Sequence, residues 1–401
     1  MKNIILTHAR IAADQMIESG YVWIKGNQIH KLGEMKDCPP LESADEIINC
    51  EKAEWVIPGM IDVHIHGAGG SDVMDATSEA LETMAKLLPE EGTTSFLATT
   101  ITSPKPNIEA ALENTAKYMA KKNQQGQAEI IGIHLEGPFI NKEKKGAQPE
   151  EHIIKPNVSL FEKWQKLSND AIKLVTLAPE LDGEHALIRH LADTGVVASM
   201  GHTSANYEEV KQAVRSGLSH VTHLYNGMSG VHHREPGAAG SALLMDELMV
   251  EVIPDGIHSH PDMVKLAYRT KGANHLVLIT DSMRAKCLKN GTYDLGGQEV
   301  QVENGRAVLE SGSLAGSVLK LSEGRRNMQQ WTKASIEELV TMTSVNPAKE
   351  LGIFNSKGSL AEGKDADIVL VDEEGDILVT ICRGEVAFQK PGHSFIDVNA
   401  K

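Results

Sequence analysis

Between residues 60 and 281 the chain alternates short apolar runs with polar turns and segments of helical period, and this alternation constrains its fold more than any other feature. The runs fall at residues 61–65, 95–99, 130–134, 174–177, 196–200, 220–224, 249–253 and 276–280. Such alternation predicts parallel strands joined by crossover helices. Eight units of this kind predict an α/β fold of the (β/α)8 TIM-like barrel type. Helices are expected where Leu187, Leu191 and Thr194 follow Asp182, and where Tyr207, Val210 and Val214 follow a cap at Ser204.

The two ends have a different texture. Residues 4–6, 21–25, 29–32 and 53–56, and then 366–371, 377–380 and 385–388, read as short strands separated by turns. Both ends are expected to share one small β-sandwich domain, residues 1–57 with 358–401, beside a barrel of residues 58–357.

Composition narrows the function classes. No apolar run approaches the roughly 18 to 20 residues that cross a bilayer, and the first ten residues carry no export signal. Cys38, Cys50, Cys287 and Cys382 are scattered without a CxxC pair, which predicts free thiols in a reducing compartment such as the cytoplasm. With 55 acidic and 39 basic residues the formal charge is -16, so neither a nucleic acid nor an anionic membrane surface is an expected partner. An anionic substrate would need a local basic pocket.

Polar residues collect where the apolar runs end. His64 and His66 close the first run, Glu136 follows the third, His202 follows the fifth, His223 lies in the sixth and Asp281 ends the eighth. In a barrel those ends form the face on which active sites are built. Histidine nitrogens with a carboxylate suit zinc or another first-row divalent ion, and three protein ligands leave a position for water. That chemistry is hydrolytic, with Asp281 as the candidate proton shuttle. There is no G-x-S-x-G elbow and no P-loop, and Gly67-Ala68-Gly69-Gly70 lacks dinucleotide-binding spacing.

Longer motifs carry a more specific resemblance. Val56-Ile57-Pro58-Gly59-Met60-Ile61-Asp62-Val63-His64-Ile65-His66-Gly67 and the tail at 358–367 resemble the amidohydrolase superfamily. The ordered set His134-Leu135-Glu136-Gly137-Pro138-Phe139, Lys145-Gly146-Ala147, Gly201-His202-Thr203, His223-Leu224-Tyr225-Asn226-Gly227-Met228, Arg234-Glu235-Pro236-Gly237, Asp255-Gly256-Ile257-His258, Thr280-Asp281 and Leu314-Ala315-Gly316-Ser317 resembles its N-acetylglucosamine-6-phosphate deacetylase family.

The resemblance implies a main metal site of Glu136, His202 and His223, a catalytic base and acid in Asp281, and a possible second site at His64 and His66. One or two divalent ions of the Zn, Fe, Mn or Co type would bind per subunit. The implied substrate pocket comprises Ala147, Asn226, Gly227, Arg234, Asp255, Gly256, Ile257, His258, Leu314, Ala315 and Gly316. Arg234 and His258 are the expected phosphate partners, because a guanidinium fork matches phosphate oxygens. The implied reaction hydrolyses the acetamide of N-acetyl-D-glucosamine 6-phosphate. A homodimer is expected, with the 228–234 loop near its interface. Gln148 departs from the family pattern, which has a histidine there. The alternative is another amidohydrolase, a cyclic amidase or an aminohydrolase of purine type; many cyclic amidases use a carboxylated lysine, and the fourth run ends Thr176-Leu177-Ala178-Pro179-Glu180 without one. A non-catalytic relative would have lost ligands, and here each expected position is filled.

Overall fold

Strands covered on both faces need continuous apolar or small residues, and the barrel strands show this: all eight residues of Thr93–Thr100 are buried. The computed structural model describes residues 2–398 apart from Asp14 and Ser394; the outermost residues of the expected end domain, Met1 and 399–401, lie outside the described residues. Eight parallel strands form one sheet in chain order: Met60–Ile65, Thr93–Thr100, Glu129–Glu136, Ile172–Leu177, Val197–Met200, Leu218–Val221, Met249–Val252 and Leu276–Leu278. Each expected run is therefore a strand. The curled sheet meets itself through a parallel bridge between Ile65 and Ser282. The Asp281 amide donates to the His64 carbonyl at 2.8 Å, and the His66 amide to the Ser282 carbonyl at 2.9 Å.

Helices on the outer face return the chain between strands, and local capping fixes their starts. The helix Tyr207–Arg215 begins at Asn206, not at the expected Ser204, because the Asn206 side chain and Glu209 form a reciprocal capping box. Asp182 does serve the helix Ala186–Asp193, accepting from the Leu187 and Ile188 amides at 3.1 and 2.9 Å.

The chain ends build a nine-stranded sheet. Its central pairing joins the two ends directly, with Trp55–Pro58 antiparallel to Ile368–Val371. Two of its strands, Glu46–Asn49 and Ile396–Val398, were not expected from the sequence; they pair with each other on one side. Lys357 ties this sheet to the barrel. It is 6% exposed and lies 2.7 Å from Glu129, 3.0 Å from Asp365 and 2.7 Å from Asp367.

A third sheet is also absent from the sequence expectations. Gly291–Leu295, Gln298–Glu303 and Arg306–Leu309 form an antiparallel meander between the eighth barrel strand and the helix Leu321–Thr332. Its Leu295, Val300 and Val302 pack with Ile101, Met283 and Ala315. The meander covers one side of the face where the polar residues gather.

Candidate active site

The residues flagged at strand ends converge, but four sit beyond the strands: His66 one residue past the first, which stops at Ile65, and His202, His223 and Asp281 farther out. The fifth, sixth and eighth strands stop at Met200, Val221 and Leu278. His223 is thus two residues past the sixth strand, where the sequence had placed it inside. The backbone explains the stop: His202, His223 and Asp281 have φ of 48, 31 and 48°. Non-glycine residues in that region cost on the order of 1–3 kcal/mol and persist where the surroundings hold them.

The surroundings hold them around Glu136. Its Oε1 is 3.1 Å from His202 Nε2 and 3.2 Å from His223 Nε2, and these two nitrogens are 3.1 Å apart. Its Oε2 is 3.3 Å from His66 Nε2 and accepts from Gln148 Nε2 at 2.7 Å. Asp281 Oδ1 lies 3.5 Å from His64 Nε2 and 3.3 Å from His66 Nε2. The rings are oriented from behind. The Lys144 carbonyl faces His202 Nδ1 at 2.8 Å, which gives the flagged 145–147 turn a structural reason. Gly227 has φ of 57°, and a Cβ there would come within 2.9 Å of His202 Nδ1.

Within this cluster the carboxylates and imidazoles hold one another in their charged forms. Burial alone would raise the Glu136 carboxyl, but His64, His202, His223 and His66 hold it well below the usual carboxylate range. Burial likewise opposes ionisation of Asp281, and His64 and His66 override it and lower the pKa. Burial disfavours charge on His64, yet Asp281, Glu251 and Glu136 push it up to about 9. His66 is pushed well above its ordinary value by Asp281 and Glu136 against the cost of burial.

The donor set fits a divalent ion. Glu136, His202 and His223 offer ligand atoms within 4.8 Å of one another, and so do His64, His66 and Asp281. His64 Nε2 is buried and has no hydrogen-bond partner. Three buried ligands with imidazole and carboxylate chemistry match a catalytic first-row site.

A cavity of about 250 Å³ opens on this cluster, lined in part by His66, Glu136, His202, His223 and Asp281. Of the expected pocket, Ala147, Asn226, Gly227, His258, Leu314 and Gly316 line it. Asp255, Gly256, Ile257 and Ala315 do not line it. Asp255 orients His258, accepting from its Nδ1 at 2.6 Å and from the Ile257 and His258 amides at 2.8 Å. Arg234 is exposed outside the cavity, with its guanidinium 2.7 Å from His233 Nε2.

Sequence reasoning missed Ile101, Leu295 and Ser313 in the wall, and two polar supports. Gln148, noted as a departure, spans the Thr102 amide at 2.8 Å and Glu136. Glu251 is fully buried and touches His64, His220 and the His223 amide. An acid in the middle of an otherwise apolar strand was the signal that could have found it.

The comparisons agree with this geometry. Residues 55–387 match the amidohydrolase family model. The N-acetylglucosamine-6-phosphate deacetylase of Bacillus subtilis is 49% identical over 95% of this chain and 96% of its own length. The crystal structure of N-acetylglucosamine-6-phosphate deacetylase from Thermotoga maritima superposes with a TM-score of 0.85 at 36% identity, covering 96% of this chain and 100% of that one. The Mycobacterium smegmatis enzyme, as an Asp-to-Ala variant in complex with N-acetyl-D-glucosamine-6-phosphate, gives a TM-score of 0.89 at 28% identity, covering 97% of this chain and 100% of that one. The eight-stranded parallel barrel, the buried donor cluster on its strand ends and these matches together place the chain in the amidohydrolase family, among the N-acetylglucosamine-6-phosphate deacetylases.

Proposed function

We propose that the chain hydrolyses the acetamide of N-acetyl-D-glucosamine 6-phosphate to D-glucosamine 6-phosphate and acetate. The observation that carries this reading is Asp281 beside the Glu136, His202 and His223 cluster in one cavity. Those three residues would hold the main ion. His64 and His66 would hold a second, and Glu136 faces both groups, with Oε1 near His202, His223 and His64 and Oε2 near His66. A bound divalent ion of the Zn, Fe, Mn or Co type supplies Lewis-acid polarisation and acidifies water.

The protein's own part is proton movement and positioning. Asp281, kept ionised by its histidine neighbours, accepts a proton as the water oxygen bonds to the carbonyl carbon. It returns the proton to the amide nitrogen as the C–N bond breaks, so an amine leaves instead of an amide anion. His258, with Nδ1 committed to Asp255, offers Nε2 to the phosphate.

Arg234 is the other phosphate partner and serves the neighbouring subunit of a homodimer. Its exposure outside its own cavity supports this, as do Val231 at 58% and Leu244 at 62% exposure nearby, apolar side chains suited to a subunit interface. The four unpaired cysteines support a cytoplasmic setting, and no helix among the described residues is long and apolar enough to cross a membrane. We also divide the chain at residues 58 and 358, since the joint end sheet has its own core.

The test is acetate release from the 6-phosphate and from plain N-acetylglucosamine by protein of measured metal content. The 6-phosphate should be strongly preferred. Equal turnover of the two sugars, or none of either by metal-loaded protein, would refute the assignment.

A further inference from the structure

Glu251 sits in the middle of the seventh barrel strand, Met249–Val252, and is fully buried. A carboxylate there is costly unless each oxygen is engaged. Both are. Oε2 faces His64 Nδ1 at 3.0 Å and accepts from the His223 amide at 3.0 Å, while Oε1 faces His220 Nε2 at 3.2 Å. His220 Nδ1 in turn lies 3.3 Å from Glu350 on the outer helix Asn346–Glu350. The hydrogen-bond chain therefore runs from the outside of the barrel to the cluster.

We propose that Glu251 is the positioning residue of the metal centre, holding one member of each ligand group: His64 by its ring and His223 by its peptide. This rests on the reading of those groups as metal ligands. An ionised carboxylate can only accept, so His64 donates to Glu251 from Nδ1, and a metal taken up by the cluster would meet the other ring nitrogen, Nε2, which faces Glu136 and Asp281. His64 Nε2 is one of three buried histidine nitrogens in the cluster without a hydrogen-bond partner, with His66 Nδ1 and His223 Nδ1, and of these it is the one that faces the two carboxylates, 3.6 Å from Glu136 and 3.5 Å from Asp281. The same Glu251 oxygen steadies His223, whose φ of 31° is strained, so that its ring reaches Glu136. Glu251 is not among the residues that line the cavity and would not touch substrate. Its effect is on metal affinity and turnover, with little effect on the Michaelis constant.

The experiment strips the full-length protein with a chelator and titrates Zn2+ or Co2+ by calorimetry, alongside steady-state kinetics. Glu251→Gln removes the charge and one acceptor. Glu251→Asp keeps the charge, as insurance for folding, but withdraws the oxygens from His64. Both should bind metal about 10- to 100-fold more weakly, with KM within about twofold of wild type. In a His64→Asn background the further loss from Glu251→Gln should shrink, because the two act through one ring. Wild-type metal affinity in the folded Glu251→Asp protein, or fully additive losses in the double variant, would overturn the role. His202→Ala separates the two readings. If it still binds metal stoichiometrically, the metal site itself is wrong; if it loses metal while both Glu251 variants bind normally, the positioning role alone falls.

Discussion

His202, His223 and Asp281 share a left-handed backbone in the loops that leave their strands, which aims each side chain into the cavity at the cost of local strain. If Asp281 moves the proton, Asp281→Asn should keep near-normal metal content and lose at least about 100-fold in turnover. Near-wild-type turnover in that variant would remove Asp281 from the chemistry. Deeper in the barrel, burial disfavours charge on His220, but Glu251 and Glu350 push its pKa up from 6.5 to about 9. A raised pKa stabilises the fold fully below about 6.5 and loses that contribution as pH rises through about 9. Denaturant unfolding of the metal-stripped protein should show a loss of stability between pH 7 and 10 that His220→Gln reduces; an identical pH profile for both proteins would refute it. The clustered histidines were legible because they lie at or near run ends. Glu251 and the Gln148 grip were not, since what marks them is contact with residues distant in sequence.

The barrel strands were legible element by element because continuous apolar runs with polar ends leave few other folds. The meander at 291–309 was not, although Gly296-Gly297 and Asn304-Gly305 mark its turns and Val300 and Val302 alternate with exposed Glu299, Gln301 and Glu303. Short two-sided strands of this kind carry too little apolar pattern to stand out from a loop. Where elements meet, buried ion pairs carry the junctions. Lys286, in the loop that follows the eighth strand, lies 2.6 Å from Glu91 in the turn that leads into the second, and both are buried. Lys286→Met should cost about 3–5 kcal/mol of unfolding free energy by leaving Glu91 unpaired, while Lys286→Met with Glu91→Leu should cost clearly less. Equal losses in the single and double variants would show that the pair does not act as a unit.

At the scale of the whole molecule, a chain of formal charge -16 must hold a dianionic sugar phosphate, so the few basic groups near the cavity decide selectivity. Arg234→Ala should lower catalytic efficiency on the 6-phosphate about 10- to 150-fold and leave the slow reaction on the unphosphorylated sugar nearly unchanged. If Arg234 serves the neighbouring subunit, mixing Arg234→Ala with Asp281→Asn protein under exchange should recover part of the lost efficiency. Mixed dimers would contain one cavity with both intact groups. No recovery after demonstrated exchange would place the arginine in its own subunit's pocket or outside the function.

If the Glu136, His202 and His223 cluster holds the metal with which this barrel removes acetyl groups, activity follows metal binding. The most direct measurement returns Zn2+ or Co2+ stepwise to chelator-stripped protein and follows acetate release from N-acetyl-D-glucosamine 6-phosphate against metal bound per chain. The expected result is negligible turnover in the stripped protein, rising with bound metal to a plateau at one or two ions per chain. Full turnover by the stripped protein, or bound metal without acetate release, would sever activity from this cluster.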